Sequence, residues 1–100
     1  QYIRSLDLSS FDTSNVTNMY WMLRSLNLET IDVSNFNTSK VQDMSGMFNS
    51  CHEVTKLDLT NFDTSSCTDM DGMFINCKKL TELILLRLLI CTVCFPCFLI

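Results

Sequence analysis

The sequence has little of what catalysis and nucleic-acid binding require. Its 100 residues include one histidine, His52. A zinc site built on several histidines is therefore excluded, and a Ser-His-Asp triad would have to use this single residue. The net charge of −4 argues against the basic surface that binds nucleic acid. One proline and two glycines exclude a collagenous chain or a Pro/Gly-rich linker. Composition therefore indicates neither an enzyme nor a nucleic-acid partner, and no cofactor is expected.

What the chain does have is apolar side chains. Hydrophobic residues make up 47% of it and charged residues 18%, which is too apolar for a disordered chain. It starts at Gln1, with no positively charged segment leading into a short apolar run, so no signal peptide is recognised. We expect either a fragment of a longer protein or a wrongly assigned reading frame.

The sequence contains an internal repeat. The segments LDLSSFDTSNV, IDVSNFNTSKV and LDLTNFDTSSC begin at Leu6, Ile31 and Leu57. Further along each unit, two methionines three residues apart recur in the same phase, and an apolar residue follows each pair. Recurrence at a fixed period is typical of stacked-repeat proteins. The predicted units are the end of a preceding repeat at 1–5, repeats at 6–30, 31–56 and 57–82, and an atypical apolar tail at 83–100.

Each unit is predicted to contain a strand, a turn and a short helix. Residues 6–8 alternate apolar and polar, as in a half-buried strand, and residues 12–14 have turn and N-cap side chains. Val16, Met19 and Met22 are three residues apart, as on one face of a helix. No single unit can bury its own apolar face, so the units should stack. The predicted fold class is α/β, a leucine-rich-repeat-like solenoid of about three 25–26-residue strand-turn-helix repeats with an atypical apolar C-terminal tail.

The string LDLTNFDTSSCTDMDGMFINCKKL resembles the 26-residue repeat of BspA-like leucine-rich-repeat surface proteins. The resemblance covers residues 1–82, and its most specific part is M-x-x-M-F-x-x-C. It implies a solenoid, a cell-surface or secreted location, and adhesion or protein binding, with a host or extracellular-matrix protein as partner. The alternatives are a structural spacer without a ligand, or an enzyme whose catalytic domain lies elsewhere. The chain departs from the pattern in its shortened first repeat, at Leu26 and at Cys67.

Two groups of residues are candidate sites. Asp7, Asp32 and Asp58 share one slot, so stacking places their carboxylates in a column. Such a column is either a site for calcium or a basic partner, or a solvated polar ladder. Its spacing matches neither the EF-hand loop nor the Gly-Gly-x-Gly-x-Asp calcium repeat. Tyr20 and Trp21 form a large aromatic pair on the outer face. That pair is either a contact hot spot or a packing patch over the shortened repeat.

The cysteines admit two interpretations. Cys51 and Cys77 share a slot in adjacent repeats, so they form either a disulfide or two buried thiols. The same slot holds Leu26 in the first repeat, which favours an apolar role. Cys67 stands where the first repeat has Val16, which indicates the same.

Residues 83–100 break the pattern and carry a single charge, at Arg87. Codon degeneracy allows a shifted reading frame to encode Met-x-x-Met-Phe there, so a frameshifted fourth repeat is one interpretation. A membrane anchor is the second, because about 20 apolar residues span a bilayer. A hydrophobic cap on the last repeat is the third. A membrane partner is expected only if the anchor is genuine.

Overall fold

The computed structural model describes residues 6–85. The chain runs through three coils that lie side by side: the first coil (6–30), the second coil (31–56) and the third coil (57–82). Residues 1–5 and 86–100 lie outside the described residues. The predicted end of a preceding repeat and all but the first residues of the predicted tail therefore fall there.

The predicted strand-turn-helix α/β class is wrong. Residues 6–85 contain no helix and two short strands, β1 (Lys56–Leu59) and β2 (Glu82–Leu85). The strands are parallel, with Leu57 opposite Leu83. Isolated parallel bridges join Asn18 to Asp43 and Asp43 to Asp69, so neighbouring coils also pair at a second place. None of the described residues form a helix that could cross a bilayer.

Lateral hydrogen bonds explain why the methionine segment is not helical. The N–H of Met19 donates to the carbonyl of Asp43 (2.8 Å), and that of Leu23 donates to the carbonyl of Met47 (3.0 Å). Between them, the N–H of Met22 bonds back only three residues, to Met19 (3.1 Å). An α-helix needs N–H groups that bond four residues back along their own chain. The three-residue spacing of the methionines therefore reflects consecutive turns that keep one side facing the core.

Left-handed backbone interrupts the same segment twice in every coil. L-residues seldom adopt a positive φ, and a right-handed helix cannot pass through it. The first such position holds Trp21, Gly46 and Gly72, with φ of 55°, 63° and 65°. The second holds Ser25, Ser50 and Asn76, with φ of 61°, 62° and 62°.

Short polar side chains build the turns between these segments. In the first coil the carboxylates of Asp7 and Asp12 accept the N–H groups two residues ahead, at 2.9 and 3.0 Å, and Asn18 does the same at 2.8 Å. This geometry is an Asx turn, in which the side chain replaces a backbone acceptor. The same three slots make the same bonds in the later coils: Asp32, Asn37 and Asp43, then Asp58, Asp63 and Asp69.

Buried threonines join one coil to the next. The Thr38 hydroxyl donates to the carbonyl of Asp63 (3.0 Å) and accepts the N–H of the same residue (2.8 Å). Thr13 makes the equivalent pair of bonds with Asn37, at 3.1 and 2.8 Å. Thr13 and Thr38 are themselves buried, so each of these hydroxyl groups depends on the backbone of the next coil for its hydrogen bonds.

The core is a set of apolar rows that run across the coils. Its largest fully buried side chains come from the second and third coils and Met19. Phe48 and Phe74 stack with ring centroids 5.9 Å apart. The register is one residue tighter between the first two coils: Met19 bonds to Asp43, 24 residues on, whereas Met44 bonds to Asp69, 25 residues on. The missing residue lies between Leu26 and Ile31, where the first coil is short.

Candidate binding surfaces

The aspartate column lies exposed, as its slot predicts, but its carboxylates are engaged by the turns. Ser9 donates to Asp7 through its hydroxyl (2.6 Å) and its N–H (2.9 Å), and these bonds hold the pKa of Asp7 below its ordinary value of 3.8. Hydrogen bonds from Ser34 likewise lower the pKa of Asp32. Both groups are therefore ionised at neutral pH, and the negative charge of Asp7 repels that of Asp32.

A shallow groove follows this column. One part, of about 380 Å³, lies between the second and third coils and is lined by Asp32, Asp58 and Lys56 among others. The other, of about 270 Å³, lies between the first two coils and includes Asp7. Within residues 6–85, no group of three or more His, Cys, Asp or Glu side chains is placed to hold a metal ion. The column is thus a polar wall of the groove, and its aspartates do not converge as metal ligands.

Tyr20, Trp21 and Arg24 form a compact surface that we call the aromatic corner. The rings of Tyr20 and Trp21 stack with centroids 4.7 Å apart and an interplanar angle of 22°. The guanidinium carbon of Arg24 lies 4.4 Å from the centre of the Trp21 ring, within cation–π distance. Tyr20 and Trp21 remain 48% and 45% exposed. The two large rings are therefore held in place without being part of the core.

The backbone of Trp21 is strained. Its φ of 55° lies in the left-handed region, where the equivalent positions of the next two coils have glycine. A bulky residue there costs about 1–2 kcal/mol. The indole lies on Gly46, since a methyl group on that glycine would collide with Cδ1 and Nε1 of the ring. Both interpretations of the aromatic pair draw support here, because it packs on the second coil and also presents half of its surface outward.

Comparison with known proteins assigns the chain to a family. The family model described as "Mycoplasma protein of unknown function, DUF285" matches residues 2–85. The chain belongs to the DUF285 family. That family is distinct from the BspA-like proteins, so the resemblance to them stays a prediction. No curated protein and no solved structure matches the chain.

Three cysteines of this DUF285 chain are buried: Cys51, Cys67 and Cys77. Cys51 and Cys77, which share a slot, do not form a disulfide. The Cys51 thiol donates to the carbonyl of Leu23 (3.2 Å), and the Cys77 thiol donates to that of Phe48 (3.1 Å). Burial, followed by the nearby Cys77, raises the pKa of Cys51 to about 11. Burial also raises the pKa of Cys77. Neither thiol is poised to act as a nucleophile, because the reactive form is the thiolate.

Sequence reasoning missed two features of this DUF285 chain. Arg24 was not singled out, although its spacing of three residues from Trp21 suits a side-chain contact across a turn. Asn35 and Asn61 were also missed: their amides donate to carbonyls of the preceding coil, for example Asn35 to Leu8 (2.9 Å). Their signal was an asparagine before the phenylalanine in the second and third repeats.

Proposed function

We propose that this chain is a protein-binding module of an adhesive protein that is secreted or held at the cell surface. It has no catalytic activity of its own, and its partner is a host or extracellular-matrix protein. The aromatic corner makes the central contact. The observation that carries this proposal is Trp21, a large side chain kept half-exposed on a left-handed backbone where the neighbouring coils have glycine.

Backbone strain argues that Trp21 serves more than packing. A glycine at this position would relieve the strain, and the next two coils fold with glycine there. Strained backbone is concentrated at binding and catalytic sites, where the surrounding structure maintains it. The catalytic alternative has little support, because the nearby side chains are an aromatic pair, an arginine and turn residues. Binding by the exposed rings is the better account.

The residue types of the aromatic corner suit a contact hot spot. Tryptophan, tyrosine and arginine are the side chains most enriched among residues that dominate binding energy. The stacking of Tyr20 on Trp21 fixes both rings before a partner arrives, so little side-chain entropy is lost on binding. Arg24 lies over the indole, and no carboxylate of residues 6–85 forms an ion pair with it. Its N–H groups are thus available to acceptors on a partner.

Binding of the purified chain to a panel of immobilised extracellular-matrix proteins tests the proposal. The decisive variant combines Tyr20→Ser and Trp21→Gly, which reproduces the Ser45-Gly46 pair of the second coil. A hot spot contributes about 2 kcal/mol or more, so the variant should bind at least about 30-fold more weakly. It should still fold, because the second coil adopts the same backbone with this pair.

Phe11→Ser is the matched control. Phe11 is also an exposed aromatic residue of the first coil, but it lies outside the aromatic corner. The control should bind as the parent chain does. Equal binding by the parent chain and the double variant would contradict the proposal. Absence of binding to every protein of the panel would leave the spacer as the better account.

A further inference from the structure

The outer edge of the first coil exposes side chains that the other coils bury. Leu6, Phe11 and Met22 are 44%, 51% and 37% exposed. The residues in the same slots of the second coil are at most 8% exposed: Ile31, Phe36 and Met47. The apolar rows of the core therefore continue to this edge and end there in contact with water.

The backbone of the same edge has an incomplete row of hydrogen bonds. The second coil accepts four N–H groups from the first coil, at the carbonyls of Asp43, Ser45, Met47 and Asn49. The equivalent carbonyls of the first coil belong to Asn18, Tyr20, Met22 and Arg24. None of these four accepts an N–H from residues 6–85. In the reverse direction the N–H of Gln42 donates to the carbonyl of Thr17, while the N–H of Thr17 finds no acceptor in that range.

These two features restrict what fits the edge. An occupant needs N–H groups at alternate residues, one carbonyl opposite Thr17, and apolar side chains over Phe11 and Met22. The first-coil edge of a second molecule presents carbonyls, so it would set acceptors against acceptors. A further coil with the backbone of the second coil would fit, because the second coil donates to the third through just such a row, the N–H groups of Met44, Gly46, Phe48 and Ser50.

We propose that the outer edge of the first coil is a docking surface for a further coil of this same repeat, stacked in parallel and continuous with residues 1–5. The sequence supports this connection. Ile3 precedes Leu6 by three residues, as Leu28 precedes Ile31 and Val54 precedes Leu57. The docked coil covers Phe11 and supplies an acceptor to Thr17. The docked coil would bond to the backbone carbonyls of Tyr20 and Arg24, whereas the protein partner proposed above contacts the side chains of the aromatic corner.

The proposal is tested by completing the coil. A copy of residues 31–51 is placed ahead of Gln1 of the full chain, so that it forms, with residues 1–5, a coil as long as the second coil. The control extension has the same length, with the copies of Met44, Met47 and Phe48 changed to serine. Hydrogen exchange at the Thr17 amide and the urea midpoint of unfolding are measured for both extensions and for the parent chain.

With the complete extension, the Thr17 amide should exchange at least about tenfold more slowly, and the urea midpoint should rise. The control should match the parent chain in both measurements. Unchanged exchange and an unchanged midpoint in the complete extension would overturn the proposal. It would also be overturned if Thr17 became protected in the parent chain as its concentration rose, because a second copy would then occupy the edge.

Discussion

The clearest test of how the coils are held together is the substitution Thr38→Val. Valine has nearly the shape of threonine, so the change removes the hydroxyl and leaves the packing almost unaltered. Thr38 is fully buried, and its hydroxyl both donates to the carbonyl and accepts the N–H of Asp63. The variant therefore separates hydrogen bonding between coils from apolar contact.

The expected loss follows from the two bonds. A typical hydrogen bond contributes about 0.5–1.5 kcal/mol net, and a buried group left without its partner costs about 1–3 kcal/mol. Asp63 is only half-buried, so water replaces part of what its backbone loses. The added methyl group of valine in a buried site offsets a further part, by up to about 0.8 kcal/mol. We expect Thr38→Val to lower the free energy of unfolding by about 2 kcal/mol.

Urea unfolding followed by the fluorescence of Trp21, the only tryptophan, measures this loss. Thr30→Val is the matched control, because Thr30 is exposed and none of the hydrogen bonds within residues 6–85 uses its hydroxyl. The control should change the free energy of unfolding by no more than about 0.5 kcal/mol. A Thr38→Val variant that loses no more than its control would refute the role given to the threonine row.

Three further predictions concern individual side chains. Trp21→Gly should be more stable than Trp21→Ala by about 1 kcal/mol in urea unfolding, because alanine keeps the left-handed strain; equal stabilities would contradict that strain. Cys51 and Cys77 should react with a thiol reagent at pH 8 only as fast as the chain unfolds. The pKa of Cys51 is about 11 in the folded chain and about 9 in the unfolded chain, so the unfolded thiol ionises first as pH rises. The free energy of unfolding should therefore fall as pH rises from 9. Ser34→Ala should raise the pKa of Asp32 in an NMR titration. The lowered pKa of Asp32 stabilises the fold above about pH 4, and that contribution disappears as pH falls through the folded value.

The apolar pattern predicted which side chains form the core of the second and third coils but not the backbone that positions them. Met44 and Met47 are fully buried, as their spacing suggests. The same spacing arises in a helix and in a series of turns, and apolar periodicity cannot separate the two. The deciding factor is that alternate N–H groups bond to a neighbouring coil. A glycine between the methionines, Gly46 or Gly72, was the available signal for left-handed backbone.

The candidate surface was partly visible in the sequence. Tyr20 and Trp21 stood out because the same slots elsewhere have small or polar residues. Arg24 lies over the indole of a Trp21 whose backbone is left-handed. A tryptophan does not favour left-handed backbone, so the sequence does not predict this contact. For the aspartates, the slot indicated a column but not its chemistry. The carboxylate of each aspartate accepts the backbone N–H two residues ahead. This bond lies within one coil, so comparing the same slot in neighbouring coils does not predict it.

The single-residue difference between the first and second coils shows where this chain tolerates a change of length. Lateral hydrogen bonds fix the phase of residues 17–25 against the second coil, so an extra residue there would move every later donor away from its acceptor. Asn27 is exposed, and within residues 6–85 no backbone hydrogen bond joins the segment around it to the second coil. The first coil is one residue shorter in this segment and still packs against the second coil. Insertions and deletions in related chains should therefore concentrate in this segment. A peptide tag placed after Asn27 would report on the protein while leaving its coils in register.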